Sequence, residues 1–247
     1  TDSSAMNYTI GSNQVNRILY LASARSMVVG TTGGEFVVRA SGTDEPITPT
    51  NIQIKQQATY GSADVQPVQA GSYTLFVQRA KRKLRELGYV YDTDAYQAVD
   101  LTILADHVSE NGLVELAYQQ EPFSLVWATT GDGRLIGMTY RREEQVVAWH
   151  QHKLGGTFTS GGTTYNHGFV ENIAVIPGEL NQDNLYMVVK RTINGATRRY
   201  VEILSDIDFG TDIQDAIFVD SSLTYSGSST SSLSGLDHLE GQTVSVL

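Results

Sequence analysis

At 247 residues the chain can bury one or two sizeable cores, and 40% hydrophobic against 18% charged residues excludes a disordered polymer. Cysteine is absent, which excludes a disulfide framework and a thiolate metal centre and leaves the redox compartment open. A formal net charge of −10 argues against a general grip on nucleic acid through phosphate neutralisation, although an acidic wall suits a passage along which a polyanion slides without sticking.

In chain order, the opening TDSSAMNYTI has no basic stretch followed by an apolar one and is not a signal peptide, and no apolar run approaches a membrane span, so no membrane insertion is expected. Residues 1–13 read as a flanking segment of a longer protein. RILYLASA (17–24) is a lead strand, followed by MVVGTTGGEFVVRA (27–40), a strand, a Gly-rich turn and a strand. VQPVQA (65–70) leads YTLFVQRAKRKLRELGYVYD (73–92), the same form around a basic turn. DLTILADHVSENG (100–112) predicts the one helix. Asp100 would be its N-cap, Leu101, Leu104 and Val108 its apolar stripe and Gly112 its stop. LVELAYQQ (113–120) leads SLVWATTGDGRLIGMTYRREEQVVAWHQH (124–152), a pair around Gly131-Asp132-Gly133 plus a third strand. LGGTFTSGGTTYNHG (154–168) reads as an inserted loop or flexible hairpin. VENIAVIPG (170–178) leads LYMVVKRTINGATRRYVEIL (185–204), whose Asn194-Gly195 is a strong two-residue hairpin signal.

The repeated unit is a lead strand and a meander. Taking Val28, Leu75, Leu125 and Met187 as equivalent, the steps are 47, 50 and 62 residues, near the period of propeller blades. The expected fold class is all-β: a β-propeller-like array of antiparallel three- to four-stranded meanders over 14–204, with one short helix. Residues 205–235 read as an acidic and Ser/Gly-rich linker, and 236–247 as the start of a further β unit.

GGEFVVRAS, ITPTNIQIKQQATYGSADVQPVQAG, LFVQRAKRKLRELGY, DLTILADHV, VELAYQQEPFSLVWATTGDGRLIGMTYRREEQVVAWHQH, VKRTINGATRRYVEIL and GLDHLEGQTVSVL resemble a family of tailed-phage structural tail proteins. That family is similar to the tail nozzle, or packaged-DNA stabilisation, proteins of short-tailed phages. The resemblance spans nearly the whole chain. It implies a non-enzymatic ring component of the virion tail, made in the bacterial host cytoplasm and hexameric by the family pattern. Its partners would be other copies of itself and other tail proteins. It would help retain packaged DNA and gate ejection, with DNA passing through the lumen without specific binding. It implies no catalytic residues and no cofactor. The alternative is a tail adaptor or receptor-binding module that recognises a host glycan or tail fibre.

Read for chemistry, the chain offers few constellations. His150 and His152 stand two apart on a strand and so share a face, and His167 could join them as a third metal ligand; two exposed imidazoles at a strand end is the plainer reading, and no metal site is expected. SDIDFGTD (205–212) resembles a Ca²⁺ loop in outline, but Gly210 falls one position early and no later Glu sits at the required offset, so a solvated linker is expected. Asp132 with Glu143 and Glu144 could suggest a propeller hydrolase, yet adjacent Glu residues on a strand point to opposite faces and Asp132 is explained by its turn. Nucleophile elbows, phosphate loops and dinucleotide fingerprints are missing.

Arg79, Lys81, Arg82, Lys83 and Arg85 cluster in an otherwise acidic chain. Three readings stand: a solvated turn that blunts edge pairing, a contact with an acidic neighbouring subunit such as its 205–220 segment, or a DNA contact. Arg198 and Arg199 read as surface or interface. Tyr60, Tyr73, Tyr89, Tyr91 and Tyr96 would serve glycan recognition only if several shared one exposed patch.

Overall fold

The period-2 alternation of the apolar runs is realised as seventeen strands in the computed structural model, which describes residues 5–11, 16–42, 45–178, 181–205, 221, 223, 225–240 and 242–244. The strands are β1 (Ile18–Ser23), β2 (Met27–Thr31), β3 (Gly34–Ala40), β4 (Ile52–Ala58), β5 (Val68–Ala70), β6 (Tyr73–Val77), β7 (Leu84–Val90), β8 (Ala95–Asp100), β9 (Leu113–Gln119), β10 (Leu125–Thr130), β11 (Leu135–Arg141), β12 (Val146–His152), β13 (Phe158–Ser160), β14 (Thr163–Tyr165), β15 (Phe169–Pro177), β16 (Asp183–Ile193) and β17 (Ala196–Ile203). They form five antiparallel sheets. Three are four-stranded meanders, β1-β2-β3-β4, β5-β6-β7-β8 and β12-β11-β10-β9; one is three-stranded, β15-β16-β17; and β13-β14 is a hairpin. Val28, Leu75, Leu125 and Met187 all fall on the second strand of their meander. The chain divides into two compact units, Thr1–Leu116 and Ala117–Leu247.

In the first unit, β2 is buried on both faces. Val28 joins Tyr20, Ala22, Val37, Phe76 and Leu87 in a core that ties the first two meanders together. Val29, on the opposite face, packs with Phe36 and Val38 under Ile10, Ile47, Ile52 and Ile54. In the second unit, β16 alternates strictly, with Leu185, Met187, Val189, Arg191 and Ile193 turned inward. Leu185, Met187 and Val189 pack on Val170 and Ile173 of β15 and on Trp127 and Leu135 of the third meander. Each such side chain withdrawn from water contributes about 1.5–3 kcal/mol, so these face-to-face sheet contacts are what define the two units.

The helix expected over 100–112 does not form. Ala105 N–H bonds to Thr102, Val108 to Ala105 and Gly112 to Ser109, three residues back in each case, giving a string of tight turns. Asp100 does act as a cap, its Oδ1 accepting from the Thr102 amide at 2.9 Å and from the Thr102 hydroxyl at 2.6 Å. A three-residue step buries Thr102, Ala105 and Val108, with Leu101 buried beside them, and leaves Leu104 93% exposed, so the 3.6-residue reading of that stripe is corrected. The helical content among the described residues is two single 3₁₀ turns, Tyr91–Thr93 and Asp237–Leu239. The second lies where a new β unit was expected; residues 236–240 and 242–244 contain no strand. The 154–168 stretch carries the β13-β14 hairpin.

Candidate functional site

The basic turn between β6 and β7 is held on both sides. Gln78 N–H bonds to Lys83 O, Arg79 N–H to Gly61 O and Lys81 N–H to Gln78 O, with Lys81 at a φ of 63°. The 101–112 turns brace it further: Leu113 N–H donates to Lys81 O at 2.7 Å and the Ser109 hydroxyl to Arg82 O at 2.6 Å.

The five basic residues divide into three roles. Arg85 is buried. Its guanidinium lies 3.4 Å from the centroid of the Tyr60 ring and donates to Gln78 Oε1 at 2.7 Å and to Ala98 O at 2.8 Å. Lys83 pairs with Asp100 at 2.7 Å. Burial raises the Asp100 carboxyl, but Lys83 and the Thr102 hydrogen bonds outweigh it and hold the group below its ordinary range. Arg79, Lys81 and Arg82 are exposed. Gln78, Ala80, Arg82, Lys83 and Asp106 line a shallow hollow of about 270 Å³ beside them. The turn therefore presents three cations, and the other two are committed to the fold.

Behind Arg85 lies a buried carboxyl that the sequence reading missed. Glu35 on β3 is fully buried, and the Ser62 hydroxyl donates to its Oε1 at 2.9 Å while lying 3.3 Å from the Tyr20 hydroxyl. Burial lifts Glu35 to about 7, against the pull of Ser62 and of the Arg85 charge. Burial also pushes the Tyr20 phenol up. The signal available in sequence was a Glu inside an otherwise apolar strand, GGEFVV.

In the second unit, His150 and His152 of β12 do share a face. His150 Nδ1 lies 2.8 Å from His152 Nε2, and the rings pack at 5.5 and 5.3 Å from the Trp127 ring centroid. Burial lowers the His150 proton affinity, with the neighbouring His152 adding to it. His167 is placed elsewhere, stacked on Tyr165 at 6.0 Å, and among the described residues no three His, Asp or Glu side chains gather as a metal-binding group. Burial lowers His167 too, partly offset by Asp132.

The carboxylates expected as a possible catalytic pair do not face one another across a cleft. Glu143 and Glu144 lie in the β11–β12 turn, not on a strand as the sequence reading had them, and both are exposed. Asp132 accepts from the Thr130 hydroxyl at 2.5 Å and pairs with Arg134 at 2.9 Å. The Gly131-Asp132-Gly133 tip closes through Gly133 N–H to Thr130 O, with Gly133 at φ 77°. Asn194 and Gly195 have φ of 51° and 74°, as a primed two-residue turn requires.

Below that tip, Arg191 is buried. It donates from Nε to Gly155 O at 2.7 Å and grips Glu202 through both terminal nitrogens, Nη2 at 3.1 Å. Arg199 and Lys190 hold Glu171 at 2.6 and 3.2 Å, Arg199 acting most strongly to lower that carboxyl to about 2. The Ca²⁺-loop candidate lies largely outside the described residues, as does 206–220 of the acidic segment.

The tyrosines do not converge. Tyr89 and Tyr96 pack edge to face, Tyr60 carries Arg85, and Tyr73 covers Gly88, leaving Tyr91 as the most exposed at 86%. No helix among the described residues is long and apolar enough to cross a membrane. A scan against protein-family models finds no match, and a comparison with curated proteins finds no relative.

Proposed function

We propose that this chain is a non-enzymatic structural component of a phage tail, a nozzle-like ring protein that helps retain packaged DNA and gates its ejection. The observation that carries the reading is the succession of antiparallel meanders with Val28, Leu75, Leu125 and Met187 each on a second strand. Such sheets serve as blades of a propeller-like domain, because a small sheet buries its faces by stacking on neighbours of its own kind. The long sequence stretches that resemble the tail-protein family supply the setting: the virion tail, with other copies of the chain and other tail proteins as partners. Its net charge of −10 suits a lumen wall that DNA must pass without adhering. The scattered tyrosines, and the placement of Asp132 and of Glu143 and Glu144 in turns at opposite ends of β11, favour assembly over glycan recognition or glycoside hydrolysis. Imaging intact particles that carry a labelled copy of the protein tests this directly. Density at the distal end of a short tail, in a ring, is the expected result; label on a side fibre or receptor-facing tip favours the adaptor reading, and its absence from the particle overturns both.

A further inference from the structure

We propose that His150 and His152 form a two-imidazole chelate for a first-row transition-metal ion of the Cu(II), Ni(II) or Zn(II) class on the β12 edge of the third meander. The His-Gln-His spacing on a strand puts both rings on one face. The rings stand at 85° with centroids 4.9 Å apart, and Nδ1 of His150 and Nε2 of His152 converge to 2.8 Å. An ion held about 2.0–2.1 Å from each imidazole nitrogen, at square-planar or tetrahedral angles, separates those nitrogens by about 2.8–3.4 Å. To admit it the nitrogens separate by a few tenths of an ångström and both rings turn, so that their lone pairs meet at the ion beside the line that now joins them. The ion takes the place of the proton shared along the nitrogen–nitrogen line, and the ring that carried that proton keeps it on its other nitrogen.

Two features hold the rings ready. Trp127, buried in β10 and fixed by its Nε1–H bond of 2.8 Å to Gln119 Oε1, forms a wall for both imidazoles. Gly137, directly opposite His150 on β11, supplies the space that the His150 ring fills, since a Cβ there would overlap it. β12 is the outer strand of its sheet and both histidines are half-buried, so the site is reached from solvent. No third His, Asp or Glu joins them among the described residues, which leaves positions on the ion for water or an added donor. Imidazole donors select borderline ions over Mg²⁺ and Ca²⁺, and Cu(II) binds tightest in that series.

The test uses the untagged chain, stripped with EDTA, exchanged into neutral buffer and titrated with CuCl₂ and ZnCl₂. Copper at this pair lies beside Trp127 and quenches its emission; zinc competes without quenching. Expected are saturable quenching at one ion per chain, reversal by EDTA, and affinity weakened at least about tenfold in His150→Gln and in His152→Gln. His107→Gln and His238→Gln leave the titration unchanged. A wild-type imidazole NMR spectrum, which depends on no variant folding, should show two of the five histidines shifting together with zinc. Superimposable titrations for wild type and both site variants, no saturable quenching at millimolar copper, or zinc shifts at other histidines overturn the proposal.

Discussion

His150 stands directly opposite Gly137 in the β11–β12 pair, and its imidazole occupies the volume a side chain at 137 would need. The same relationship recurs in the other two four-stranded meanders. Tyr20 lies opposite Gly30 across β1–β2, and Tyr73 packs on Gly88 between β6 and β7. An aromatic laid over a strand glycine restores the packing that the glycine lacks. Gly137→Ala should therefore displace His150 and cost about 1–3 kcal/mol, as overpacking of a filled space does. Thermal unfolding with Trp fluorescence reads both effects; an unchanged Tm with unchanged emission would refute the seating.

This relationship also marks the limit of what was legible. Strands with alternating apolar residues were readable, and Asn194-Gly195 was readable as a turn, because each signal is local. The glycines at 30, 88 and 137 gave no turn, because their partners lie on neighbouring strands. Leu101, Leu104 and Val108 suggested a helix, but the tertiary packing selects a three-residue step and discards Leu104. Arg85 reads within the basic cluster as a solvated-turn, subunit or DNA contact, and Arg191 draws no reading; they are buried because Tyr60, Gln78 and Ala98, or Gly155 and Glu202, reach them across the fold. Glu35 gave only a Glu inside an apolar strand, with nothing local to show that Ser62 would meet it.

Glu35 should make stability depend on pH in an unusual direction. Its folded-state value, about 7, lies above the ordinary 4.5. The native state then holds a proton that the unfolded chain has released. Its contribution is fully present below 4.5 and is lost as pH rises through 7, by roughly 3 kcal/mol in all. The groups facing it are Tyr20, Ser62 and Arg85; the Ser62 hydrogen bond and the Arg85 charge, with backbone amides at Tyr60 and Glu35, oppose the loss without outweighing burial. Glu35→Gln keeps an acceptor for Ser62 and should flatten this dependence, leaving the variant more stable than wild type above pH 7. Urea unfolding across that range decides it, and parallel curves for the two proteins would count against the assignment.

Arg191 is the buried charge on which the β16–β17 hairpin closes. Arg191→Met leaves Glu202 and the Gly155 carbonyl without their donor and should cost about 3 kcal/mol, in the range for breaking a buried pair from one side. Glu202 is only partly buried and can rehydrate, which limits that cost, whereas Glu202→Gln leaves the buried Arg191 charge without its counterion and should cost at least as much. Equal, small losses for both would mean that the pair is solvent-screened in solution.

Gly195 faces open space, yet its φ of 74° resists a side chain. Gly195→Val should cost about 1 kcal/mol or more through backbone strain alone, because β-branched residues avoid that region. Gly195→Asn should cost less, since Asn tolerates it. A valine variant melting with wild type would remove the primed-turn assignment.

The basic turn gives the most direct test of assembly. Arg85 and Lys83 are engaged inside the first unit, so charge reversal belongs at Arg79, Lys81 and Arg82. In the proposed ring, these three face an acidic surface of a neighbouring subunit; the 205–220 segment is the simplest candidate, of which 206–220 lie outside the described residues. The triple Glu variant should keep the wild-type Tm, because exposed charges contribute little to folding, while weakening the proposed ring. The 247-residue chain alone, at −10, should stay monomeric in either form because self-repulsion opposes association. If the turn grips DNA instead, the variant assembles normally and wild type binds duplex DNA with an affinity that falls steeply with salt. Light scattering of the proposed assembly, beside a DNA titration at two salt concentrations, separates these outcomes. Normal assembly with no DNA binding by either form would reduce the cluster to a solvated turn braced by Ser109 and Leu113, and the interface assignment would fall.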